Sequence, residues 1–266
     1  MPVAHKGAIA FGLVYIPVDI YTATQDEDIR FNQLAKDNDG VLKRVQYKKT
    51  CPNCKDELAA SDIVKGFQYE KNKYVVVTDE DFAKIKTEKD SNIQILQFVD
   101  PESIPPVYYE KSYQTLPHKG GEKPYELLRQ AMLNENKVAI GKTVIGTKET
   151  LLALIPGKDM IMMEALFFEA EIKSVPKLPA KPKISDGELK MAEQLVDSMS
   201  GKFVPEDFKD EYQERLRDLI QKKIEGREIV QQKSEEPANI INLMDALKAS
   251  LEQSKPQKKA PRKKAS

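Results

Sequence analysis

Runs of β-branched and aromatic residues recur through the first 172 residues of the chain and predict β-strands. The first run covers residues 8–21 and is interrupted only at Pro17. The last run is predicted to contain a hairpin that turns at residues 156–159, where Pro-Gly-Lys-Asp supplies turn-forming residues. The remaining runs cover residues 41–48, 74–78, 93–99, 107–113, 137–145 and 150–169. Residues 1–172 are therefore predicted to form a mainly β body.

Two short helices are predicted between these strands. Thr78 and Asp81 have the spacing of a capping box and predict a helix near residues 79–86. Pro124 suits the first turn of a second helix, which runs to about residue 134 with apolar residues on one side. The predicted fold class is therefore mixed α+β, with strands dominant.

The pattern changes after residue 172. Residues 173–184 contain Pro176, Pro179 and Pro182 among several lysines and predict an extended linker. A helical region is predicted over residues 185–227. Its first helix begins with a capping box, Ser185 and Glu188, and its second helix is predicted to open at Pro205.

The C-terminal end is predicted to hold a short helix and a tail. Residues 228–254 combine a polar linker with an amphipathic helix whose apolar stripe is Ile240, Leu243, Met244, Leu247 and Leu251. Residues 255–266 form a basic tail that cannot fold alone and is predicted to be disordered.

Charge is unevenly distributed along the chain. The 42 basic and 42 acidic residues cancel. The last twelve residues, however, hold six basic residues and no acidic one, which leaves 36 basic against 42 acidic residues and a net charge of −6 elsewhere. A mildly acidic body with a basic tail favours a polyanionic partner. No apolar run is long enough to span a membrane and no signal peptide is visible, so a cytoplasmic protein is expected.

Basic residues within predicted strands are candidates for binding nucleic acid. Lys43, Arg44, Lys48 and Lys49 lie in a stretch without acidic residues, and phosphate binding needs such rows of point charges rather than a unique motif. Lys142 and Lys148 are six residues apart and would share a face of an unbroken strand, with Gly146 between them. The alternative is that all six residues only make the surface soluble.

Motifs for catalysis or cofactor binding are weak. Gly141-Lys142-Thr143 resembles the end of a phosphate-binding loop, but Asn136 stands where that motif needs glycine, and the flanking residues predict a strand. His5 and His118 are the only histidines and have no partner constellation. The sequence therefore assigns no catalytic residue, no metal ligand and no cofactor.

The two cysteines, Cys51 and Cys54, leave three interpretations open. Cys51-Pro52-Asn53-Cys54 is compatible with a structural turn, with half of a zinc site or with a redox pair. Four-coordinate zinc needs two further ligands, and the histidines are distant in sequence. A redox pair should open a helix, which the flanking residues do not predict.

Seven segments, in order along the chain, resemble sequences of the bacterial Ku family. They cover residues 5–18, 28–31, 62–66, 74–82, 137–142, 195–199 and 242–247. Two departures are visible: His5 replaces the tryptophan usual in that family, and the basic tail is short. The first costs an aromatic core contact, and the second argues against DNA functions of long-tailed members.

The resemblance implies a homodimer in which each subunit is a β-barrel with a bridging arm, so that two arms close a ring around duplex DNA. The arm is expected at about residues 100–125, where prolines interrupt the strands at Pro101, Pro105, Pro106, Pro117 and Pro124. Such a ring binds the DNA backbone, without sequence preference, and needs a free end to thread.

The resemblance also implies a partner, the ATP-dependent DNA ligase D, in the repair of double-strand breaks by non-homologous end joining. Leu243, Met244 and Leu247 are the residues expected to bind the ligase. The protein is expected to have no enzymatic activity. Two rival functions remain: a nucleoid protein that coats DNA without needing ends, and an enzyme, either a cysteine oxidoreductase or a nuclease.

Overall fold

The computed structural model describes residues 2–52, 56–85, 92–146, 148–177 and 179–227, and residues 246, 247 and 250. It divides into two units, Met1–Ser174 and Val175–Ser266. The strands of the first unit are β1 His5–Phe11, β2 Val14–Thr22, β3 Leu34–Lys36, β4 Leu42–Arg44, β5 Lys65–Glu70, β6 Lys73–Val77, β7 Ile93–Val99, β8 Tyr109–Pro117, β9 Val138–Ile145, β10 Lys148–Pro156 and β11 Ile161–Leu166. Its helices are α1 Asp79–Ile85 and α2 Glu122–Asn134.

A closed seven-stranded barrel forms the centre of the first unit. Its strand order is β1-β2-β8-β11-β10-β9-β7, and a parallel pairing of β1 with β7 completes the ring. This architecture confirms the prediction of a mainly β fold built on a barrel. The predicted hairpin at residues 156–159 is confirmed as well, because β10 and β11 pair up to Pro156 and Ile161.

Alternating residues of the barrel strands fill its interior. Ile16, Val18 and Ile20 of β2 are all buried, whereas the residues between them face outward. Helix α2 closes the core from one side with Tyr125, Leu128 and Met132, all of which are buried in the same cluster. The barrel therefore has a continuous apolar core that does not depend on a partner chain.

Two buried polar groups fasten helix α2 to the barrel. The Tyr125 hydroxyl donates to the carbonyl of Thr115 at 2.6 Å and accepts from the amide of Ile161 at 2.7 Å, which links α2 to β8 and β11. Arg129 donates to the carbonyls of Gly157 and Lys158, at 2.7 Å each, and so holds the turn between β10 and β11. These bonds pair buried polar groups of α2 with backbone groups of β8, of β11 and of the turn before β11.

The first predicted strand is two strands in the structure. The run over residues 8–21 contains a turn at Gly12, whose φ of +58° favours glycine, and β1 and β2 pair as a hairpin around it. Pro17 lies within β2 rather than at an interruption. A single glycine between apolar neighbours does not reveal a turn in the sequence pattern, so the boundary between β1 and β2 could not be predicted.

Residues 23–92, between β2 and β7, are called the insertion here because they leave the barrel wall and return to it. Strands β3 and β4 form one two-stranded sheet, and β5 and β6 form another. Every residue of β3, β4 and β5 is exposed. The Thr78–Asp81 capping box before α1 is confirmed, since the Thr78 amide donates to Asp81 at 3.0 Å.

The segment in which the arm is expected, residues 100–125, contributes a strand to the barrel wall. Residues 109–117 form β8, which pairs with β2 on one side and β11 on the other. Before it, Ile104 and Tyr108 pack on the outer surface of the barrel against Val138, Ala153 and Leu166. Pro101 and Pro106 start short 3-10 turns, Pro117 ends β8, and Pro124 lies in the first turn of α2. The insertion is the segment that departs from the barrel.

The second unit contains helices α3 Asp186–Met199 and α4 Glu211–Ile224. The Ser185–Glu188 capping box is confirmed. Helix α4 begins at an Asp210 cap rather than at Pro205, which starts a separate 3-10 turn at Pro205–Asp207. Leu247 is helical and half-buried, whereas Leu243, Met244 and the tail 255–266 lie outside the described residues. No helix in the described ranges could cross a membrane.

Candidate nucleic-acid interface

The hairpin of β3 and β4 carries the first group of candidate basic residues. Lys43 and Arg44 are neighbours on β4 and therefore point to opposite faces. Lys43 lies 3.9 Å from the carboxylate of Asp37, whereas no ion pair to Arg44 is found in the described part of the chain. Because Leu42 pairs with Lys36 and Arg44 with Leu34, Lys36 shares the face of Arg44. Lys36 was missed, since the sequence does not reveal the register.

Lys48 and Lys49 lie just after this hairpin. Lys48 forms an ion pair with Glu57 at 2.7 Å, and the carbonyl of Lys49 accepts a hydrogen bond from Leu58 at 2.8 Å. Residues 49–51 thus pair with residues 56–58. The structure brings four of the six predicted basic residues onto the insertion, all of them exposed.

The same pairing bears on the cysteines. The amide of Cys51 donates to the carbonyl of Asp56 at 3.0 Å, directly beside the bridge between Thr50 and Glu57. This bonding supports a turn at Cys51. Cys54 lies outside the described residues. Within the described ranges, no three potential metal-binding side chains come together.

The two barrel lysines do not share a face, contrary to expectation. The chain turns after Ile145 at Gly146, whose φ is +67°, so Lys142 ends up on β9 and Lys148 on β10. Lys142 pairs with Leu151, three residues from Lys148, and paired residues share a face while odd spacings alternate. The two side chains therefore leave opposite faces of the sheet, because a hairpin replaces the unbroken strand.

Each barrel lysine is held by a carboxylate. Lys142 lies 3.1 Å from Glu149, and Lys148 lies 2.8 Å from Glu171. The hydrogen bond from Lys148 lowers the pKa of Glu171, and the same bond raises the pKa of Lys148. Surface pairs of this kind are weak, so a phosphate can displace the carboxylate. Lys142 and Lys148 therefore lie on barrel strands, whereas the other four candidate basic residues lie on the insertion.

The Gly141-Lys142-Thr143 motif is part of a strand, as the flanking residues predict. A Cβ atom at Gly141 would lie 2.7 Å from the Gln94 carbonyl oxygen of β7. Glycine is therefore required by the close approach of two strands, not by a phosphate. The motif does not form a nucleotide-binding loop.

The second hairpin of the insertion exposes apolar side chains on both faces. Phe67 pairs with Val75 on one face, and Tyr74 and Val76 share the other. These four side chains are between 49% and 65% exposed. An isolated two-stranded sheet is marginal in water, and clustered exposed apolar groups are typical of interaction surfaces.

Comparison with known proteins connects this barrel and its insertion to one family. The family model described as the Ku70/Ku80 beta-barrel domain matches residues 10–191. The chain belongs to the Ku family. It is 51% identical to the non-homologous end joining protein Ku of Lachnoclostridium phytofermentans over 256 residues, which cover 96% of this chain and 98% of that protein.

Other members of the Ku family align over nearly the same span. The proteins of the same name from Archaeoglobus fulgidus and Bacillus subtilis are 42% and 36% identical, over 95% and 96% of this chain. The alignments cover 99% and 84% of those proteins. The resemblance drawn from seven short segments is therefore confirmed along nearly the whole chain.

Proposed function

We propose that this chain binds the ends of double-stranded DNA as a ring-shaped homodimer, independently of sequence, and takes part in non-homologous end joining. The relatives carry that process in their names, and the chain matches them over nearly its full length. In this proposal the insertion is the bridging arm, and the nucleoid-coating function is the rival.

The observation that carries the proposal is the contrast between a self-sufficient barrel and an insertion without a core of its own. Strands β3, β4 and β5 are exposed at every position, although the second hairpin carries Phe67, Tyr74 and Val75. Apolar surface of this kind favours association with a second copy. Two copies joined through their insertions would enclose a space between the barrels.

Contacts to DNA in this proposal come from basic residues at the surface. Lys43, Arg44, Lys48 and Lys49 lie on or beside a hairpin of the insertion. Lys142 and Lys148 lie on opposite faces of the barrel wall, so both are candidates but a single duplex surface meets only one of them. Lysine and arginine on phosphates give affinity without sequence preference and a steep dependence on salt. Lys36 joins this set through its position opposite Leu42.

The decisive experiment compares linear duplex with covalently closed circular duplex of the same sequence. A ring without a loading motor must thread onto an end, so linear DNA should bind and the closed circle should not, at about 150 mM salt. Cutting the circle once should restore binding. Equal affinity for both forms would contradict the ring and favour the coating protein.

Recruitment of an ATP-dependent DNA ligase D completes the proposal, with Leu243, Met244 and Leu247 as the contact. The stripe is marginal as an isolated helix and needs a surface to pack on. Met244→Glu with Leu247→Glu should leave end binding intact and abolish stimulation of the ligase. If these substitutions unfold the protein instead, the stripe belongs to its core.

The basic tail supports DNA binding in this scheme and not ligase recruitment. Residues 255–266 carry six positive charges and no large apolar side chain, so they attract phosphates without direction. Deleting them should weaken DNA binding, mainly at low salt, and leave ligase stimulation intact at saturating protein. Identical behaviour of this deletion and of the Met244→Glu, Leu247→Glu variant would contradict separate roles.

A scaffold of this kind needs no catalytic group of its own. The remaining rival, an enzyme, is tested with Cys51→Ser combined with Cys54→Ser and with a chelator. DNA binding and ligase stimulation should survive both treatments. Loss of DNA binding or of ligase stimulation would indicate that the cysteines have a redox or metal-binding role.

A further inference from the structure

A cleft of about 370 Å³ lies on the outer face of β1 and β2, where the loop that follows β8 meets them. Its side chains come from Lys6, Tyr15, Pro17, Asp19, Asn92 and His118. The volume falls within the roughly 300–1,000 Å³ typical of small-molecule sites. None of these residues has a part in the DNA contacts described above.

The wall formed by the loop is fixed in place. The amide of His118 donates to the carbonyl of Pro17 at 2.9 Å, and the amide of Gly121 donates to the carbonyl of His118 at 2.8 Å. A Cβ atom at Gly121 would lie only 2.8 Å from the Pro17 carbonyl oxygen. The close approach of loop and strand therefore depends on this glycine, and the cleft is preformed rather than induced.

One carboxylate in the cleft is only half satisfied. The Oδ2 atom of Asp19 lies 3.0 Å from Nδ1 of His118. Its Oδ1 atom is buried and, within the described ranges, has no hydrogen-bond partner. Because Oδ1 is closed off from solvent, a ligand in the cleft can meet this carboxylate only through the rest of the side chain, which is 18% exposed. A ligand that brings a hydroxyl or amine has the donor that a carboxylate accepts.

A lysine stands directly across from this carboxylate. Lys6 of β1 pairs with Asp19 of β2, so both side chains leave the same face of the barrel. No ion pair to Lys6 is found in the described part of the chain, and Lys6 is exposed. The cleft thus offers an ammonium group for an anion beside an acceptor for a hydroxyl.

An aromatic side chain completes the cleft. Tyr15 lies four residues before Asp19 on β2, so it faces the same side, and it is 60% exposed. Its hydroxyl donates to Oδ1 of Asn92 at 3.2 Å, which fixes the ring in position. An exposed, positioned aromatic ring is a stacking surface for a nucleobase.

We infer that this cleft binds a nucleoside phosphate, with Lys6 on the phosphate, the carboxylate of Asp19 on a sugar hydroxyl and the ring of Tyr15 against the base. Two sources supply this chemistry: a free nucleotide, or the unpaired terminal nucleotide of a DNA strand. Only the second source rests on the proposed function.

The test uses the fact that the chain has only two histidines. In full-length protein with isotope-labelled histidine side chains, His118 reports on the cleft, while His5, on the opposite face of β1 from Lys6, serves as an internal control. Adenosine monophosphate should move the His118 signals and leave those of His5 nearly unchanged. A static His118 at about 10 mM nucleotide, enough to reveal even millimolar binding, would overturn the inference.

Fragments and variants assign the three contacts. Ribose 5-phosphate and adenosine should each bind more weakly than the whole nucleotide, and inorganic phosphate should bind weakest. Lys6→Ala should weaken nucleotide binding by about tenfold or more, and Asp19→Asn by roughly three- to tenfold. Lys158→Ala, which removes an equal charge outside the cleft, should have no effect. If inorganic phosphate bound as tightly as the nucleotide, or if Lys6→Ala did not weaken nucleotide binding, the cleft would be an adventitious anion site only.

DNA ligands separate the two sources. A duplex with a short 5′-phosphorylated overhang should shift His118 and be displaced from the cleft by adenosine monophosphate if terminal nucleotides occupy it, whereas a blunt duplex should leave His118 unchanged. A response to the free nucleotide but not to the overhang assigns the cleft to free nucleotides. Because the free-nucleotide arm needs no DNA, failure of end binding and failure of this site give different results.

Discussion

The barrel and the insertion belong to one unit but are stabilised in different ways. The barrel buries residues such as Ile16, Leu152 and Leu154 completely, and α2 seals its core. The insertion contains two hairpins whose apolar side chains stay exposed. The barrel therefore has its own apolar core, whereas the hairpins of the insertion leave their apolar side chains in contact with solvent. Truncation of a side chain should accordingly affect folding in the barrel and association in the insertion.

The largest effect is expected from truncating the barrel core. Leu152 is fully buried, so Leu152→Ala should lower the free energy of unfolding by about 2–5 kcal/mol. Leu42 in the insertion is 58% exposed, and Leu42→Ala should change it by less than about 0.5 kcal/mol. Urea denaturation of both variants at a fixed low protein concentration measures the difference. Equal losses would mean that the insertion has a core of its own.

The next effect concerns association through the insertion. Phe67→Asp with Val75→Asp places two charges on one face of the second hairpin and should weaken the proposed dimer by more than about tenfold. The matched control is Leu13→Asp, which changes a fully exposed leucine at the turn of β1 and β2 on the barrel. Analytical ultracentrifugation should show monomers for the first variant and dimers for the control. Dimers in both would exclude this face as the interface.

A smaller loss is expected from one buried hydroxyl in the barrel. Tyr125→Phe leaves the carbonyl of Thr115 and the amide of Ile161 without the partner they have now, which should cost about 1–3 kcal/mol of unfolding free energy. Tyr47→Phe is the control in the insertion, since Tyr47 is 82% exposed and its hydroxyl bonds to Gln33 on the surface. A stable Tyr125→Phe variant would show that water replaces the hydroxyl.

The sequence predicted the local features of both regions better than their long-range ones. Capping boxes at Thr78 and Ser185 were recognised because each depends on residues three positions apart. Lys36 shares a face with Arg44, and Lys142 and Lys148 leave opposite faces. Both arrangements depend on turns that a single strand pattern does not reveal.

The place of β8 in the barrel wall and the position of the cleft could not be predicted for the same reason. Prolines near residue 105 were interpreted as an arm, although β8 is locked between two strands that come from distant parts of the chain. Asp19 and His118 are 99 residues apart, and only the pairing of β2 with β8 brings them together. Contacts of this kind are set by topology rather than by local pattern.

The two barrel lysines are expected to contribute differently to the salt dependence of DNA binding. Because Lys142 and Lys148 leave opposite faces of the sheet, a single duplex surface can meet only one of them. Lys142→Glu and Lys148→Glu, made separately, should therefore differ: one should reduce the log–log salt slope by about 0.9 and the other should leave it unchanged. Arg44→Glu in the insertion should reduce it by a similar amount. Equal changes in both barrel variants would contradict the assignment of faces.

The smallest effect expected is a pH dependence confined to the barrel. The hydrogen bond from Arg129 lowers the pKa of Glu126 from 4.5 to about 2, and a second bond from Gln130 acts in the same direction. Since the folded state holds this carboxylate ionised, its contribution to stability is complete above about pH 4.5 and is lost as the pH falls towards 2. Glu126→Gln should flatten the fall of the urea midpoint between these pH values.

Asp81 is the carboxylate in the insertion that matches Glu126 in the barrel. Hydrogen bonds from the amide and hydroxyl of Thr78 lower the pKa of Asp81, which caps helix α1. Because that helix has no buried residue, Asp81→Asn should loosen α1, seen as faster amide exchange, without changing the acid dependence of the barrel's unfolding. If Asp81→Asn flattened that dependence as much as Glu126→Gln, the insertion and the barrel would unfold as one cooperative structure, and the contrast between them would not extend to stability.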